Sequence, residues 1–183
     1  MTDVTMAHPG AADYDAVVSW PTFSLGICCN GDAIVAIDFL EPCDERAGRQ
    51  PLAQAAVRQL RGYLKDPSVA FSLPLAPAGT PFQQRVWASI AAIPAGQTKS
   101  YGELASELDS SPRAVGNACG ANHYPVVVPC HRVVAARGGL GGFSRQRGGF
   151  SSDITPASGH ESSLKRCFLL DVKRWLLHHE GIL

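Results

Sequence analysis

Ser100-Tyr101-Gly102-Glu103-Leu104-Ala105-Ser106-Glu107-Leu108-Asp109-Ser110-Ser111-Pro112-Arg113-Ala114-Val115-Gly116-Asn117-Ala118-Cys119-Gly120-Ala121 is the stretch that decides how the second half of this chain folds. Ser100 with Glu103 three residues on is a capping box, which opens a short helix through Leu108. Asp109-Ser110 makes a tight turn. Ser111 then supplies a cap and Pro112 a first-position proline, so a second helix runs from Arg113 to about Gly120. Two short helices across a tight turn make a helix-turn-helix. That shape serves DNA binding and plain packing alike, and shape alone does not choose. The composition of the second helix discriminates. Apart from Arg113 it is built almost wholly of small residues, whereas a major-groove reader presents several long polar side chains to base edges. A bare helix presses its backbone against a surface while one arginine probes, which suits a narrow minor groove.

Working downstream, Pro125-Val126-Val127-Val128-Pro129-Cys130-His131-Arg132-Val133-Val134 places a cysteine after an apolar β-branched run. Val126 to Val128 read as a buried strand, and Pro129 breaks its ladder, which puts Cys130 on a turn held by a rigid element. A thiol there, beside groups that remove or balance its proton, is a candidate nucleophile. A buried structural cysteine is the competing reading.

Working upstream, Thr80-Pro81-Phe82-Gln83 is another capping box with a first-position proline, followed by an apolar stripe of Phe82, Val86, Trp87 and Ile90. Leu75 to Gly79 reads as a linker, so residues 79–183 are expected to form one unit and 19–78 a smaller α/β unit. Within the latter, Asn30-Gly31-Asp32 separates two apolar runs and predicts a hairpin. Leu52 to Leu64 predicts a helix and Phe71 to Leu75 a strand. Residues 1–18 are small and polar and are expected to be a loose tail.

Composition narrows the classes. Net charge is zero, with 16 basic and 16 acidic residues, which argues against a protein that coats nucleic acid indiscriminately. The charge is nonetheless uneven: residues 1–76 carry 5 basic and 9 acidic side chains, whereas 130–183 carry 8 and 4. The basic end therefore lies beside the candidate nucleophile. Six cysteines, at 28, 29, 43, 119, 130 and 167, show no CxxC or zinc-ligand spacing; Cys28-Cys29 near Cys43 could bind a metal, but they read better as strand residues, so no metal site is expected. No membrane span or export signal is seen, so the thiols are expected to be reduced in the cytoplasm.

Five segments together resemble the O6-alkylguanine-DNA alkyltransferase family: Pro81-Phe82-Gln83-Gln84-Arg85-Val86-Trp87; Ser100-Tyr101-Gly102-Glu103-Leu104-Ala105; Arg113-Ala114-Val115-Gly116 with Asn122; Pro129-Cys130-His131-Arg132-Val133-Val134; and Lys173-Arg174-Trp175-Leu176-Leu177-His178-His179-Glu180-Gly181. The likeness covers roughly residues 80–144 and 168–181. It implies a mixed α/β fold, with a small ribonuclease-H-like sheet and helix ahead of a mainly helical, winged-helix-like domain. It also implies a monomer that acts without a cofactor on double-stranded DNA carrying O6-alkylguanine or O4-alkylthymine. Cys130 would accept the alkyl group and His131 would act as its base through a water. Glu180 would orient the histidine, and Asn122 would hold the turn. Arg113 would enter the base stack in place of the flipped nucleotide, with Tyr101, Ala114, Gly116 and Arg132 also toward DNA. Tyr101, Val128, Phe143, Ser144, Lys173 and Trp87 would form the substrate pocket, and Tyr101 or Lys173 would protonate the departing guanine.

The chemistry agrees independently. A base inside a duplex has to be flipped out before an enzyme can act on it. Displacement at an unactivated alkyl carbon needs a soft, strong nucleophile, and thiolate is the best that a protein offers. His131 and Arg132 are expected to help ionise it. Glu180 at the end of a helix from Asp171 opposes the helix dipole, which a histidine partner would explain. Three other readings compete: a relative that binds alkylated DNA without reacting, a regulator with a redox cysteine, and a cysteine hydrolase. The intact Cys130 disfavours the first and the small-residue helix the second. The third would need an oxyanion arrangement and would turn over. The chain departs from the family between Arg145 and Cys167, where a Ser/Gly-rich polar insertion is expected to loop out; it either adds DNA contacts through Arg145, Arg147, Lys165 and Arg166 or, the favoured reading, is simply tolerated.

Overall fold

The computed structural model describes residues 14–143 and 161–183, with side chains in the last helix described from Phe168 onward. Three antiparallel strands, β1 (Ala16–Ser19), β2 (Ser24–Cys29) and β3 (Ile34–Leu40), form a sheet in the order β1-β2-β3. The β2–β3 hairpin turns where the Asn-Gly-Asp triplet predicts. The Asn30 side chain accepts from the Ala33 N–H, and Gly31 takes φ 98°, a left-handed conformation that its lack of a Cβ permits. Helix α1 (Pro51–Lys65) crosses this sheet and buries Ala53, Ala56, Val57, Leu60 and Tyr63 on one face.

Two expectations for this half are corrected. The loose tail does not extend to residue 18, because β1 pairs with β2 from Ala16 and Tyr14 is already buried. Burial of Val17 and Val18 outweighs the shortness of the segment. Phe71 to Leu75 is extended but is not a strand. It touches β3 at a single bridge, Ile34 to Leu75, because Pro74 has no N–H with which to continue a ladder.

The second half begins with α2 (Pro81–Ala91), capped by Thr80 and Gln83 as the sequence dictates. Strand β4 (Lys99–Ser100) leads into α3 (Tyr101–Glu107), and α4 (Pro112–Gly120) follows across the Asp109 turn. Both capping interactions are present, Ser100 with Glu103 and Ser111 with the Ala114 N–H. Strand β5 (Val133–Val134) pairs in parallel with β4, which ties the segment just after Cys130 to the start of α3. Helix α5 (Glu161–His179) closes the fold. It starts ten residues earlier than the sequence indicates, so residues 161–167 belong to a helix and not to a loop. Ser144, Arg145 and Arg147 lie outside the described residues, as do the side chains of Lys165 and Arg166.

Buried side chains from both halves form one continuous cluster, from Ala16 in β1 through Leu60 in α1 and Val115 in α4 to Leu176 in α5. The Ile37 N–H donates to His123 O at 2.9 Å, which stitches β3 to the loop after α4. Across the same seam, Trp20 packs on Trp175 with ring centroids 5.5 Å apart. Among the described residues no helix is long and apolar enough to cross a membrane.

Candidate active site

The residues that carry Cys130 are not a strand. Pro125 to Val128 make a tight turn with Val126 at φ 73°, an unfavourable conformation for a β-branched residue. Two prolines and a side-chain competitor explain why the β-branched run does not extend. The Asn122 amide donates to Val128 O at 2.8 Å, and its carbonyl accepts from the Tyr124 N–H at 2.9 Å. Both ends of the turn are thus held by one side chain. The same amide group lies 3.3 Å from Cys130 Sγ and donates to it. Cys130, His131 and Arg132 follow as a single 3-10 turn, all buried.

Cys130 is 2 % exposed, and burial pushes its thiol up; the Asn122 hydrogen bond and the nearby Lys173 cation work the other way without reversing it. The resting sulfur is therefore a thiol. His131 is completely buried. Its Nε2 lies 2.8 Å from Glu180 Oε1, which assigns the ring proton to that nitrogen, while Nδ1 is buried and finds no hydrogen-bond partner among the described residues. Burial pushes the imidazole down; the Glu180 carboxylate opposes, and Arg132 and Lys173 add to the downward push, so the ring is neutral near pH 7. A neutral imidazole with a free Nδ1 is ready to accept a proton.

Glu180 follows the last turn of α5, its N–H bonded to Leu176 O. Burial alone would push its carboxyl up, but donors from His131, Arg132 and Tyr63 win and hold it well below the usual carboxylate range. Arg132 donates from Nε to Oε2 at 2.9 Å and from Nη2 to Oε1 at 2.8 Å, and its Nη1 donates to Ile93 O at 2.6 Å. This corrects two expectations. Arg132 does not face DNA, since it is 8 % exposed and its guanidinium is held by partners. Nor does it lend charge to the thiol, because Glu180 neutralises it. The cation near Cys130 is Lys173.

Lys173, in α5, has no exposed surface. Its ammonium donates to Val133 O at 2.6 Å, Leu140 O at 2.5 Å and Gly142 O at 3.3 Å. Burial lowers it to about 8, with Cys130 and Cys119 pulling the other way. The ammonium also lies 5.8 Å from the Tyr101 ring and 5.6 Å from the Phe143 ring. Tyr101 donates to Gly142 O at 2.9 Å, and burial pushes its phenol up. The glycine-rich loop fits closely here: a Cβ on Gly141, at φ 66°, would meet the Tyr101 ring at 2.9 Å. Lys173, Tyr101 and Phe143 are therefore brought together in one cluster.

Arg113 stands exposed in the first turn of α4, with Ala114 and Gly116 partly exposed beyond it. Trp87 is an interior brace, its indole N–H donating to Ala118 O in α4 at 2.8 Å. Val128 contributes its carbonyl to Asn122 and to the Cys130 N–H. Sequence reasoning missed Tyr63, whose hydroxyl reaches Glu180 Oε1 at 2.5 Å; a tyrosine on an apolar helical stripe reads only as core. It also missed the carbonyls of Ile93, Leu140 and Gly142, which no side-chain pattern reports. Among the described residues no group of histidine, cysteine and carboxylate side chains is arranged to hold a metal.

Residues 81–182 match the family model described as the DNA binding domain of 6-O-methylguanine DNA methyltransferase. The chain is 41 % identical over 126 residues to the regulatory protein ada of Salmonella typhimurium, a longer protein of which it spans 36 %. It is 35 % identical over 144 residues to a methylated-DNA–protein-cysteine methyltransferase of Methanosarcina acetivorans, covering 78 % of each. Among solved structures, Mycobacterium tuberculosis OGT in complex with DNA is similar over 90 % of both chains, with a TM-score of 0.67 and 30 % identity. The matched region contains Cys130, its relay and the small-residue helix, and the chain belongs to the 6-O-methylguanine DNA methyltransferase family.

Proposed function

We propose that this protein repairs O6-alkylguanine in double-stranded DNA by moving the alkyl group irreversibly onto Cys130, with O4-alkylthymine as a second substrate. The observation that carries this reading is a buried thiol pinned by Asn122 beside a neutral histidine whose far nitrogen is clamped by a carboxylate. Helix α4 lies against the minor groove and Arg113 takes the place of the extruded nucleotide. The thiol proton passes to His131 Nδ1 through one water, and Glu180 stabilises the imidazolium that forms. The sulfur then attacks the alkyl carbon. An S–C bond forms, the C–O6 bond breaks, and the electron pair leaves on the guanine, which takes up a proton. Lys173, pushed down to about 8, is a stronger acid for that last step than Tyr101. We place this activity in the cytoplasm, acting as a monomer.

A thioether has no ready hydrolytic exit, so each molecule reacts once. Titrating the protein with methylated duplex should give a plateau at one methyl per chain. Mass spectrometry should show a gain of about 14 Da on Cys130 and none in Cys130→Ala. Continuous turnover, or a gain located on another residue, would overturn the reading.

A further inference from the structure

Tyr63 has no part in the chemistry set out above, yet its hydroxyl lies inside the relay. It donates to Glu180 Oε1 at 2.5 Å and lies 3.3 Å from His131 Nε2. We propose that Tyr63 is a positioning residue for the alkyl transfer: its hydroxyl fixes Glu180 Oε1 and limits how strongly that oxygen draws on the His131 proton. This inference rests on the reading of His131 as the base.

The donor arrangement around Glu180 is lopsided. Oε1 receives Tyr63, His131 Nε2 at 2.8 Å and Arg132 Nη2 at 2.8 Å, with Arg132 Nε at 3.2 Å; Oε2 receives Arg132 Nε at 2.9 Å. The two strong donors other than the histidine both reduce the charge that Oε1 presents to the Nε2–H. The arginine is a fixed cation. The phenol is the adjustable one, and it remains a donor because burial, the Glu180 charge and the Glu180 hydrogen bond all push its ionisation up.

Packing alone does not account for this geometry. A buried tyrosine hydroxyl needs a partner, and a backbone carbonyl would serve. Here the partner is the relay carboxylate, 117 positions away in sequence. The ring has little room to swing, being stacked on Trp20 at 5.8 Å and on Phe71 at 5.8 Å. The Tyr63 carbonyl lies 3.0 Å from His179 Nε2, so α1 is joined to the end of α5 at two consecutive positions. Four titratable or charged groups bear on His131: Arg132 from its own turn, Glu180 and Lys173 from the α5 side, and Tyr63 from α1; Cys130 precedes it in the same turn.

Tyr63→Phe keeps the ring and removes only the hydroxyl. Two measurements test it: the pH dependence of single-turnover methyl transfer from methylated duplex, and an NMR titration of the His131 ring nitrogens. Without the hydroxyl, Oε1 draws harder on Nε2–H, so His131 should titrate at higher pH than in wild type. The midpoint of the transfer rate should rise with it. The limiting rate should fall about 3- to 10-fold, with affinity for unmodified duplex unchanged. Site-specific 3-fluorotyrosine at position 63, a more acidic donor, should move both midpoints down; it also provides the test should the phenylalanine variant not fold. Unmoved midpoints, with any loss of rate uniform in pH, would overturn the proposal. If wild-type protein transfers no methyl group, the repair function falls, and the His131 titration still decides the role of Tyr63.

Discussion

Asn122 carries more of the site than any other uncharged residue. One amide group holds Val128 O, the Tyr124 N–H and Cys130 Sγ, and it does so while buried. Replacing it by alanine leaves the buried Tyr124 N–H without its acceptor and frees the turn in which Val126 is held at positive φ. Asn122→Ala should therefore lose about 2 kcal/mol of stability, read from the urea midpoint at unchanged slope. Methyl transfer should slow further than that loss implies, because the sulfur also loses its donor. In the sequence, Cys130 and His131 stand out by adjacency and chemistry and Glu180 by its place at a helix end, whereas Asn122 is pointed to only by the family resemblance. Arg132 was misread because a charged side chain beside a nucleophile looks functional at the surface, and only the fold reveals the carboxylate that turns it inward. Tyr63 was illegible for a related reason. Its partner lies 117 residues away, and no local pattern encodes such a pairing.

Helices announced themselves better than strands did. The capping boxes at Thr80 and Ser100 are local chemistry, completed within four residues, and the structure contains both. The Val126 to Val128 run carries strong β propensity, but flanking prolines and the Asn122 side chain override it. The early start of α5 was hidden because residues 161–167 are mostly polar, and a polar helical turn has the same composition as a loop. At the other end of α5, Glu180 sets a pH response. Its folded pKa lies below its unfolded value, so the stability it contributes is complete above ~4.3 and is lost as pH falls further. His131 is also depressed, so the unfolded chain takes up a proton first as pH drops through ~6.5. Thermal melting followed from pH 8 to 3 should show stability falling in these two stages. In Glu180→Gln the lower stage should flatten, and stability at pH 7 should drop by about 3 kcal/mol because Arg132 is left buried without its anion.

Across the whole molecule, the proposed function divides the work between the exposed Arg113 on α4, which would reach the base, and the groups around Cys130, which would react with it. Arg113→Ala should leave the relay intact. Transfer from methylated duplex should slow roughly 10- to 100-fold, since flipping a paired base takes a few kcal/mol, whereas the reaction with the free alkylated base should be nearly unchanged. Equal losses on both substrates would place Arg113 in the chemistry instead. The excess of basic residues after position 130 further predicts duplex binding that weakens steadily with added salt, measurable by anisotropy.

The carboxylate of Glu180 is met by side chains from positions 63, 131 and 132, and these contacts span 117, 49 and 48 residues. Contacts so distant in sequence close late, after the local helices have formed. During synthesis, a growing chain that has not yet reached residue 180 carries Cys130 without the carboxylate that readies its histidine. On the proposed single-use reaction, a chain stopped short of residue 180 should therefore keep Cys130 unreacted.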